Sequence, residues 1–424
     1  MPLAANASVK EFKLENGLKV LIIEDHKAPL ATFQIWYRVG ARNESIGKTG
    51  LSHFLEHMMF KGTPKYGSKV FSNLVQRQGG MDNAFTSKDS TVYFQTLSSD
   101  RIDLSIRLEA DRMRNLLLAP AEVLSERKVV MEERRMRYED DPQNLLYESV
   151  TAEAFRSLPY RWPVIGWMND ISSLNRDDLL SHYRTFYSPD NAFIVVAGDV
   201  QPNKIMTMIK KHFGPIRPSG KGIPHRVVIE PEQREELRII LKKEAELPYV
   251  LMAYHVPSFP DNESFALEVL SNILAGGKST RLYKSLVYEK RLVLSAFADY
   301  SGFNIDPFLF ILGATAAPGK GPEEVESALN GEIERIIKGP PSAGEVQKAK
   351  NGIEAAFVFA QDSNYSKAMY AGIFEMLGGW KLYDRYLEGI RKVRPEDVQA
   401  VAVKYLGPGN RTTGILVPEK KNAK

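Results

Sequence analysis

The sequence contains no cysteine among its 424 residues. This absence excludes disulfide bonds, thiolate metal sites and cysteine nucleophiles, so any bound metal must be held by histidine and carboxylate side chains. Histidine is also scarce, with seven residues in the whole chain. The positions of these few histidines therefore decide where a metal site can lie.

Long apolar runs and an excess of one charge are also missing. No apolar run approaches the roughly 20 residues that a membrane-spanning helix needs. The 56 basic and 52 acidic residues leave a formal net charge of +4. No basic cluster with interleaved aromatic residues indicates nucleic-acid binding. We therefore expect neither a transmembrane segment nor a nucleic-acid partner.

The N-terminal residues lack the basic and apolar regions of an intact signal peptide. The tripeptide Ala5-Asn6-Ala7 nevertheless has the small-x-small pattern of a cleavage site. One hypothesis is a periplasmic protein whose signal peptide has been removed. A cytoplasmic protein is the alternative.

The length and the order of predicted elements indicate two domains. A hydrophobic content of 43% and a charged content of 25% are typical of a globular protein, and 424 residues exceed one ordinary core. Proline and glycine cluster between the two halves, which predicts a linker. The order of strands and helices then begins again, at an offset of about 200 residues. We predict domains at 1–213 and 233–424, joined by a linker at 214–232.

Two histidines lie four residues apart in His53-Phe54-Leu55-Glu56-His57. On a helix, positions i, i+3 and i+4 share one face, so the three polar side chains converge. The pattern is H-x-x-E-H, the inverted zinc-peptidase signature, in which the imidazoles bind Zn²⁺ and the carboxylate is the general base. A helix with two incidental histidines is the alternative. We predict that His53 and His57 bind zinc and that Glu56 is the base.

A catalytic zinc usually has three protein ligands, so a third donor must lie outside the motif. The other histidines of the first half lie in predicted hairpin or surface-helix positions: His26, His182 and His212. A carboxylate is the better candidate, and the predicted helix 120–138 contains four: Glu122, Glu126, Glu132 and Glu133. Glu126 and Glu133 lie two turns apart on one face. Spacing alone does not choose among the four glutamates, because a solvated helix face explains them equally well.

Three segments together resemble the pitrilysin family of zinc peptidases, the inverzincins: residues 53–63, 83–87 and 126–133. Within that family, the chain is most similar to the short subgroup that includes the β subunit of mitochondrial processing peptidase and its bacterial zinc-bearing relatives. The likeness runs from about residue 11 to the C-terminus, and it is strong only in the first half. It implies that Glu133 is the third zinc ligand and that Glu126 supports the site from outside the ligand set.

The resemblance also implies an α+β fold of two similar domains that enclose a cavity, each a mainly antiparallel sheet packed against helices. The hairpin at residues 81–95 matches the edge strand that pairs with the substrate backbone in the family. Asn83 and Ala84 are then expected to bind the peptide substrate, although a turn position explains Asn83 equally well.

The sequence departs from the family pattern in its second half. A complete family site also needs an arginine and a tyrosine, and Val287 and Leu294 stand at those positions. Tyr288 and Arg291 lie nearby at the wrong interval. We therefore expect a zinc endopeptidase subunit that forms a heterodimer with a metal-free homologous subunit carrying the Arg/Tyr pair. The alternatives are a non-catalytic core or scaffold subunit and a zinc hydrolase that acts on a non-peptide substrate.

Overall fold

The computed structural model of the protein describes residues 9–220 and 227–419. The tripeptide Ala5-Asn6-Ala7 and residues 221–226 of the predicted linker lie outside the described residues. The predictions that concern them therefore stay predictions.

The first sheet begins with the hairpin that the Asn16-Gly17 dipeptide predicts, and Gly17 has the positive φ of 92° that such a turn requires. Its strands are β1 Val9–Lys13, β2 Lys19–Glu24, β3 Leu30–Tyr37, β4 Met81–Thr86, β5 Thr91–Ser98 and β6 Ala192–Gly198. They are arranged in the order β1-β2-β6-β3-β5-β4. β2 and β6 pair in parallel, and the other neighbours pair antiparallel. β4 therefore lies at an edge of the sheet.

The second sheet repeats this arrangement. Its strands are β7 Leu237–Glu244, β8 Tyr249–Val256, β9 Val293–Tyr300, β10 Phe308–Ala316 and β11 Arg411–Glu419. Their order is β7-β11-β8-β10-β9, with β7 and β11 parallel and the other pairs antiparallel. Every strand of the first sheet except β1 has a counterpart among the described strands of the second sheet, and β9 is the counterpart of β4. The predicted α+β fold of two similar domains is confirmed.

Helices lie between corresponding strands in both halves. They are α1 Leu51–Met58, α2 Val70–Arg77, α3 Ile102–Asn115, α4 Pro120–Arg134, α5 Pro142–Ala154, α6 Met168–Ser173, α7 Arg176–Phe186, α8 Pro202–Phe213, α9 Glu263–Ala275, α10 Pro322–Lys338, α11 Ala343–Ala360, α12 Asn364–Met376, α13 Leu382–Lys392 and α14 Pro395–Tyr405. π-helical turns follow α4 at Arg135–Glu139 and precede β9 at Tyr283–Glu289. In the part of the chain that the structure describes, no helix combines the length and apolar character that crossing a membrane demands.

The chain forms two compact units, and each half contributes one helix to the other half's unit. The first unit falls within Met1–Glu133, Pro163–Val227 and Ala360–Trp380, and the second within Arg134–Trp162, Val228–Phe359 and Lys381–Lys424. Helix α12 packs on β3 and β6, whereas α5 packs on β8 and β11. These units therefore differ from the contiguous domains predicted at 1–213 and 233–424. The linker at 214–232 and the enclosed cavity stay predictions.

Two layers of the first unit position the candidate site. Trp36 of β3 stacks on Phe193 of β6 at 5.7 Å between ring centroids, and Ala368 and Ala371 of α12 pack on this apolar surface. Helix α1 contacts β4 and β5, and α3 contacts β3 and β5. The H-x-x-E-H helix therefore lies beside the edge strand β4, within one unit.

Candidate metal centre

Helix α1 forms where the apolar spacing predicts it. Leu51, Phe54, Leu55 and Met58 are buried, because the i, i+3, i+4, i+7 pattern places them on one face toward the core. The helix is followed by Gly62, whose φ of 103° favours glycine. The apolar face fixes the rotation of α1, and that rotation determines where the three polar side chains of the motif point.

The N-terminus of α1 is anchored by a buried carboxylate. Glu44 is 6% exposed, and its two oxygens accept hydrogen bonds from the backbone N–H groups of Gly50 and Ser52, both at 2.7 Å. Burial raises the pKa of Glu44 to about 8, although the two backbone donors favour its ionised form. These bonds satisfy two of the N–H groups that a helix start leaves without intrahelical partners.

Gly50 precedes α1 in a conformation that favours glycine, with φ of 88°. A Cβ atom there would lie 2.4 Å from the carbonyl oxygen of Ile165. Gly166 packs against the same place, since a Cβ at Gly166 would lie 2.5 Å from the carbonyl oxygen of Thr49. Two glycines thus allow the chain at residue 165 to contact the start of the metal-site helix directly.

Three side chains converge at the polar face of α1. The Nε2 atoms of His53 and His57 lie 3.7 Å and 3.3 Å from Oε2 of Glu133, which comes from α4. One ligand atom from each residue can be chosen so that all lie within 4.8 Å of one another. Atoms that share a tetrahedral zinc ion at about 2.0–2.2 Å lie roughly 3.3–3.6 Å apart. The spacing and the N₂O donor set therefore fit a zinc ion.

Glu126 is not one of these three side chains, but it contacts one of them, His57. Nδ1–H of His57 donates a hydrogen bond of 2.9 Å to Oε1 of Glu126, and the ammonium group of Lys61 contacts Oε2 of the same carboxylate. A carboxylate on the far ring nitrogen fixes the tautomer and orientation of a metal-binding histidine. Because Nδ1 is held by Glu126, Nε2 of His57 is directed toward Glu133.

These carboxylates change the protonation of the metal-free site. Burial lowers the pKa of His57, but the hydrogen bonds and charges of Glu126 and Glu133 outweigh it and raise the pKa to about 9. Burial alone would raise the pKa of Glu126. The hydrogen bonds to His57 and Lys61 outweigh burial, so the pKa of Glu126 lies below its usual value. In the metal-free protein His57 is therefore protonated at neutral pH, and a metal must displace that proton.

Glu56 lies on the same face of α1 as the two histidines. Its Oε2 accepts a hydrogen bond of 2.5 Å from the hydroxyl of Thr86, at the end of β4. Asn83 and Ala84 lie further along the same edge strand, the first exposed and the second half-buried. The carbonyl oxygen of the Asn83 side chain accepts the N–H of Ala84 at 2.9 Å. The structure thus places the predicted base beside the strand that carries the predicted substrate-binding residues, whose roles stay predictions.

The remaining predicted positions have different environments. His182 was expected on a surface helix, and this expectation is wrong: the side chain is 6% exposed, because α7 packs against α1. Its Nε2 lies 3.1 Å from the hydroxyl of Ser52.

In the second unit, Val287 belongs to the π-helical turn before β9, whereas Leu294 lies on β9 and is 56% exposed.

Sequence reasoning missed Glu44, Lys61 and Thr86 as parts of the site. Lys61 and Thr86 lie within the segments that carry the family resemblance, which was the available signal. No local pattern connects Glu44 to α1, since a glutamate before a glycine-rich turn is common on protein surfaces.

The fold and the donor group define the class: a two-domain α+β protein with a group of two histidines and a glutamate that could hold a metal ion. Two family models match the chain, "Insulinase (Peptidase family M16)" over residues 19–166 and "Peptidase M16 inactive domain" over residues 173–353. The chain belongs to peptidase family M16, the pitrilysin family.

Named relatives agree with this assignment. The chain is 33% identical to the zinc protease PqqE of Helicobacter pylori over 96% of this chain and 92% of that protein. It is 26% identical to the uncharacterized zinc protease YmxG of Bacillus subtilis, over 93% and 95% of the two chains. The crystal structure of a protease from Helicobacter pylori superposes with a TM-score of 0.94 at 32% identity, covering 97% of this chain and all of that one (100%).

Proposed function

We propose that this protein is a zinc-dependent endopeptidase subunit that hydrolyses peptides or unfolded segments. The observation that carries the proposal is the convergence of His53, His57 and Glu133, with Glu56 on the same helix face. Two relatives that match over 96% and 93% of this chain are named zinc proteases, which supports the same reaction.

His53, His57 and Glu133 would hold the zinc ion. Zinc, when bound, supplies a Lewis acid that polarises the scissile carbonyl and acidifies water. Glu56 accepts a proton from the attacking water and returns it to the leaving amine. Glu126 keeps the His57 ring in the orientation that presents Nε2, and Lys61 compensates the charge of that carboxylate.

We propose that the substrate binds as an added strand on β4. An edge strand presents backbone N–H and C=O groups that a peptide can pair with. Asn83 and Ala84 lie on this strand, and Thr86 at its end contacts the base. A peptide paired with β4 would therefore lie next to Glu56 and the metal ligands.

The proposed partner requirement rests on Val287 and Leu294. Neither side chain can donate a hydrogen bond to a developing oxyanion, and losing one such donor typically costs about 2.7–4 kcal/mol of transition-state stabilisation. A metal-free homologous subunit with arginine and tyrosine at these positions would supply the missing donors. The alternative is a non-catalytic core subunit, which is favoured by the match of residues 173–353 to a model described as an inactive domain.

Elemental analysis and cleavage assays test both proposals. We expect about one zinc per chain, weak cleavage of an unfolded peptide by the chain alone, and a large increase with the metal-free homologue. Glu56→Gln should retain zinc and lose cleavage. Zinc-free protein that stays inactive with the partner would favour the core-subunit alternative, and full activity of the single chain would reject the partner requirement.

A further inference from the structure

The hydroxyl of Thr86 is a second group that acts on the candidate base. Its Oγ1 donates to Oε2 of Glu56 at 2.5 Å, within the range of a short, charge-assisted O–H···O⁻ bond. Thr86 lies at the end of β4, opposite Thr91 of β5. The contact therefore connects the edge strand to the helix that carries the metal ligands.

The backbone at Thr86 is held in place on its C-terminal side. The next four residues form a tight turn, in which N–H of Ser87 donates to the carbonyl of Ser90 at 2.7 Å and the Ser87 hydroxyl accepts from the N–H groups of Asp89 and Ser90. This turn is tied to the segment before α1, because N–H of Ala41 donates to the carbonyl of Ser87 at 3.1 Å. The Thr86 hydroxyl is thus presented by a rigid hairpin end.

Threonine suits this task better than serine. Its β-branched side chain has fewer χ1 rotamers, so the hydroxyl direction follows from the backbone. A hydroxyl donor also stabilises the ionised form of the carboxylate that it contacts. The hydrogen bond from Thr86 to Oε2 therefore restricts the orientation of the Glu56 carboxylate.

We propose that Thr86 is a positioning residue for the general base. It holds Oε2 of Glu56 so that Oε1 is the proton acceptor, and it couples strand β4 to the base. A peptide that pairs with β4 would therefore also stabilise the hairpin end that orients Glu56. The inference rests on the proposed peptidase function and adds a residue and a coupling to it.

Three variants test this assignment. Thr86→Val keeps the branched shape without the hydroxyl, and Thr86→Ser keeps the hydroxyl. The control Thr96→Val removes a different hydroxyl of the same hairpin, which lies 2.9 Å from the hydroxyl of Thr32 and does not contact Glu56. With the partner present, we expect Thr86→Val to lower kcat about tenfold to a hundredfold, within the contribution of a general base, and to leave KM within about twofold. Thr86→Ser should recover most of the rate, and Thr96→Val should match the wild type.

Two further measurements separate positioning from a merely structural role. Zinc content and the zinc dissociation constant should be unchanged in Thr86→Val, and its crystal structure should show a rotated Glu56 carboxylate. In a Glu56→Gln background, the Val substitution should have no further effect on the residual rate.

The proposal is overturned if Glu56 keeps its orientation in Thr86→Val, if zinc affinity falls in parallel with kcat, or if Thr86→Ser is as impaired as Thr86→Val. Failure of the peptidase function would appear differently, as absence of zinc-dependent cleavage by the wild-type protein with its partner. The orientation of Glu56 tests the role of Thr86 in either case.

Discussion

Individual ionisable residues at this site are arranged so that metal and proton compete. Glu126 contacts His57 on one ring nitrogen while Glu133 faces the other. Both carboxylates stabilise the imidazolium, yet only the neutral ring binds a metal. The same contacts that orient His57 for zinc therefore also raise its pKa in the metal-free protein.

This competition predicts a pH dependence of zinc binding. Since the metal-free pKa of His57 is about 9, zinc must expel a proton below that pH, and affinity should rise about tenfold per pH unit between pH 7 and 8.5 on account of this group. Chelator competition at several pH values, together with calorimetry in buffers of different ionisation enthalpy, measures the slope and the released proton.

Glu126→Gln tests the origin of that slope. The amide keeps a hydrogen bond to His57 but removes the charge that raises its pKa, so the slope should become shallower. Loss of the supporting carboxylate should also weaken zinc binding about tenfold to a hundredfold at pH 8.5. Glu122→Gln, at a half-buried position on the same helix, is the matched control. Equal slopes in both variants would contradict the assigned role of Glu126.

The burial of His182 predicts that the protein loses stability in acid. Burial lowers the pKa of this histidine to about 3, so the folded state keeps the ring neutral while the unfolded state protonates below about pH 6.5. Its contribution to stability is therefore lost as pH falls below 6.5, at roughly 1.4 kcal/mol per pH unit. Urea unfolding of the zinc-free protein at pH 7, 6 and 5 should show a smaller acid loss for His182→Gln than for wild type. Parallel pH profiles would contradict this assignment.

At the scale of elements, the contacts at the start of α1 position its histidines as much as its apolar face does. The apolar pattern of α1 fixes its rotation, but the contacts of Glu44 and Gly50 fix its position along the axis. Small displacements there would move both histidines relative to Glu133, because α4 is a separate element. The geometry of the donor group therefore depends on residues that bind no metal.

Substitution of Gly50 tests this dependence. Gly50→Ala places a Cβ atom 2.4 Å from the carbonyl oxygen of Ile165 at a φ of 88°, so strain and clash add. Gly47→Ala is the matched control, since it has a similar φ of 86° with nothing within 4 Å of the added atom. Strain alone should cost Gly47→Ala about 1–2 kcal/mol. We expect Gly50→Ala to lose more stability in urea unfolding and to weaken zinc binding, whereas equal losses would indicate no clash.

At the scale of the whole molecule, the two halves share a topology but differ in chemistry. Helix α9 takes the place of α1 in the second unit and has no histidine, and β9 takes the place of β4. Each half also contributes one helix to the other half's unit, α5 to the second and α12 to the first. Stability of the unit that contains the candidate metal site therefore depends on residues near 370, far from that site in sequence.

This dependence can be measured with a pair of helical glycines. A Cβ atom at Gly372 of α12 would lie 2.2 Å from the Trp36 ring, whereas one at Gly331 of α10 would meet nothing within 4 Å. Gly331→Ala should gain about 0.5–1 kcal/mol from helix propensity. Gly372→Ala should instead lose about 1–3 kcal/mol by overpacking, despite the same propensity gain. Thermal unfolding with tryptophan fluorescence would report this, and similar shifts in both variants would refute the packing of α12 on Trp36.

The sequence by itself determined the features that depend on neighbours along the chain. The spacing of His53, Glu56 and His57 follows from one helical turn, and the Asn16-Gly17 hairpin follows from a dipeptide. The α+β repeat could be predicted from element order. Helix α12 was not predicted, and its place on β3 and β6 depends on contacts with strands far away in sequence.

The tertiary structure decided what depends on contacts between distant segments. Spacing left four glutamates on α4 open, and only the packing of α4 beside α1 brings Glu133 to the two histidines while placing Glu126 behind them. Packing also selected the Thr86 contact with Glu56 and the burial of His182. These contacts join residues tens to hundreds of positions apart, and no local periodicity encodes such pairings, because the energy that fixes them comes from the surrounding core.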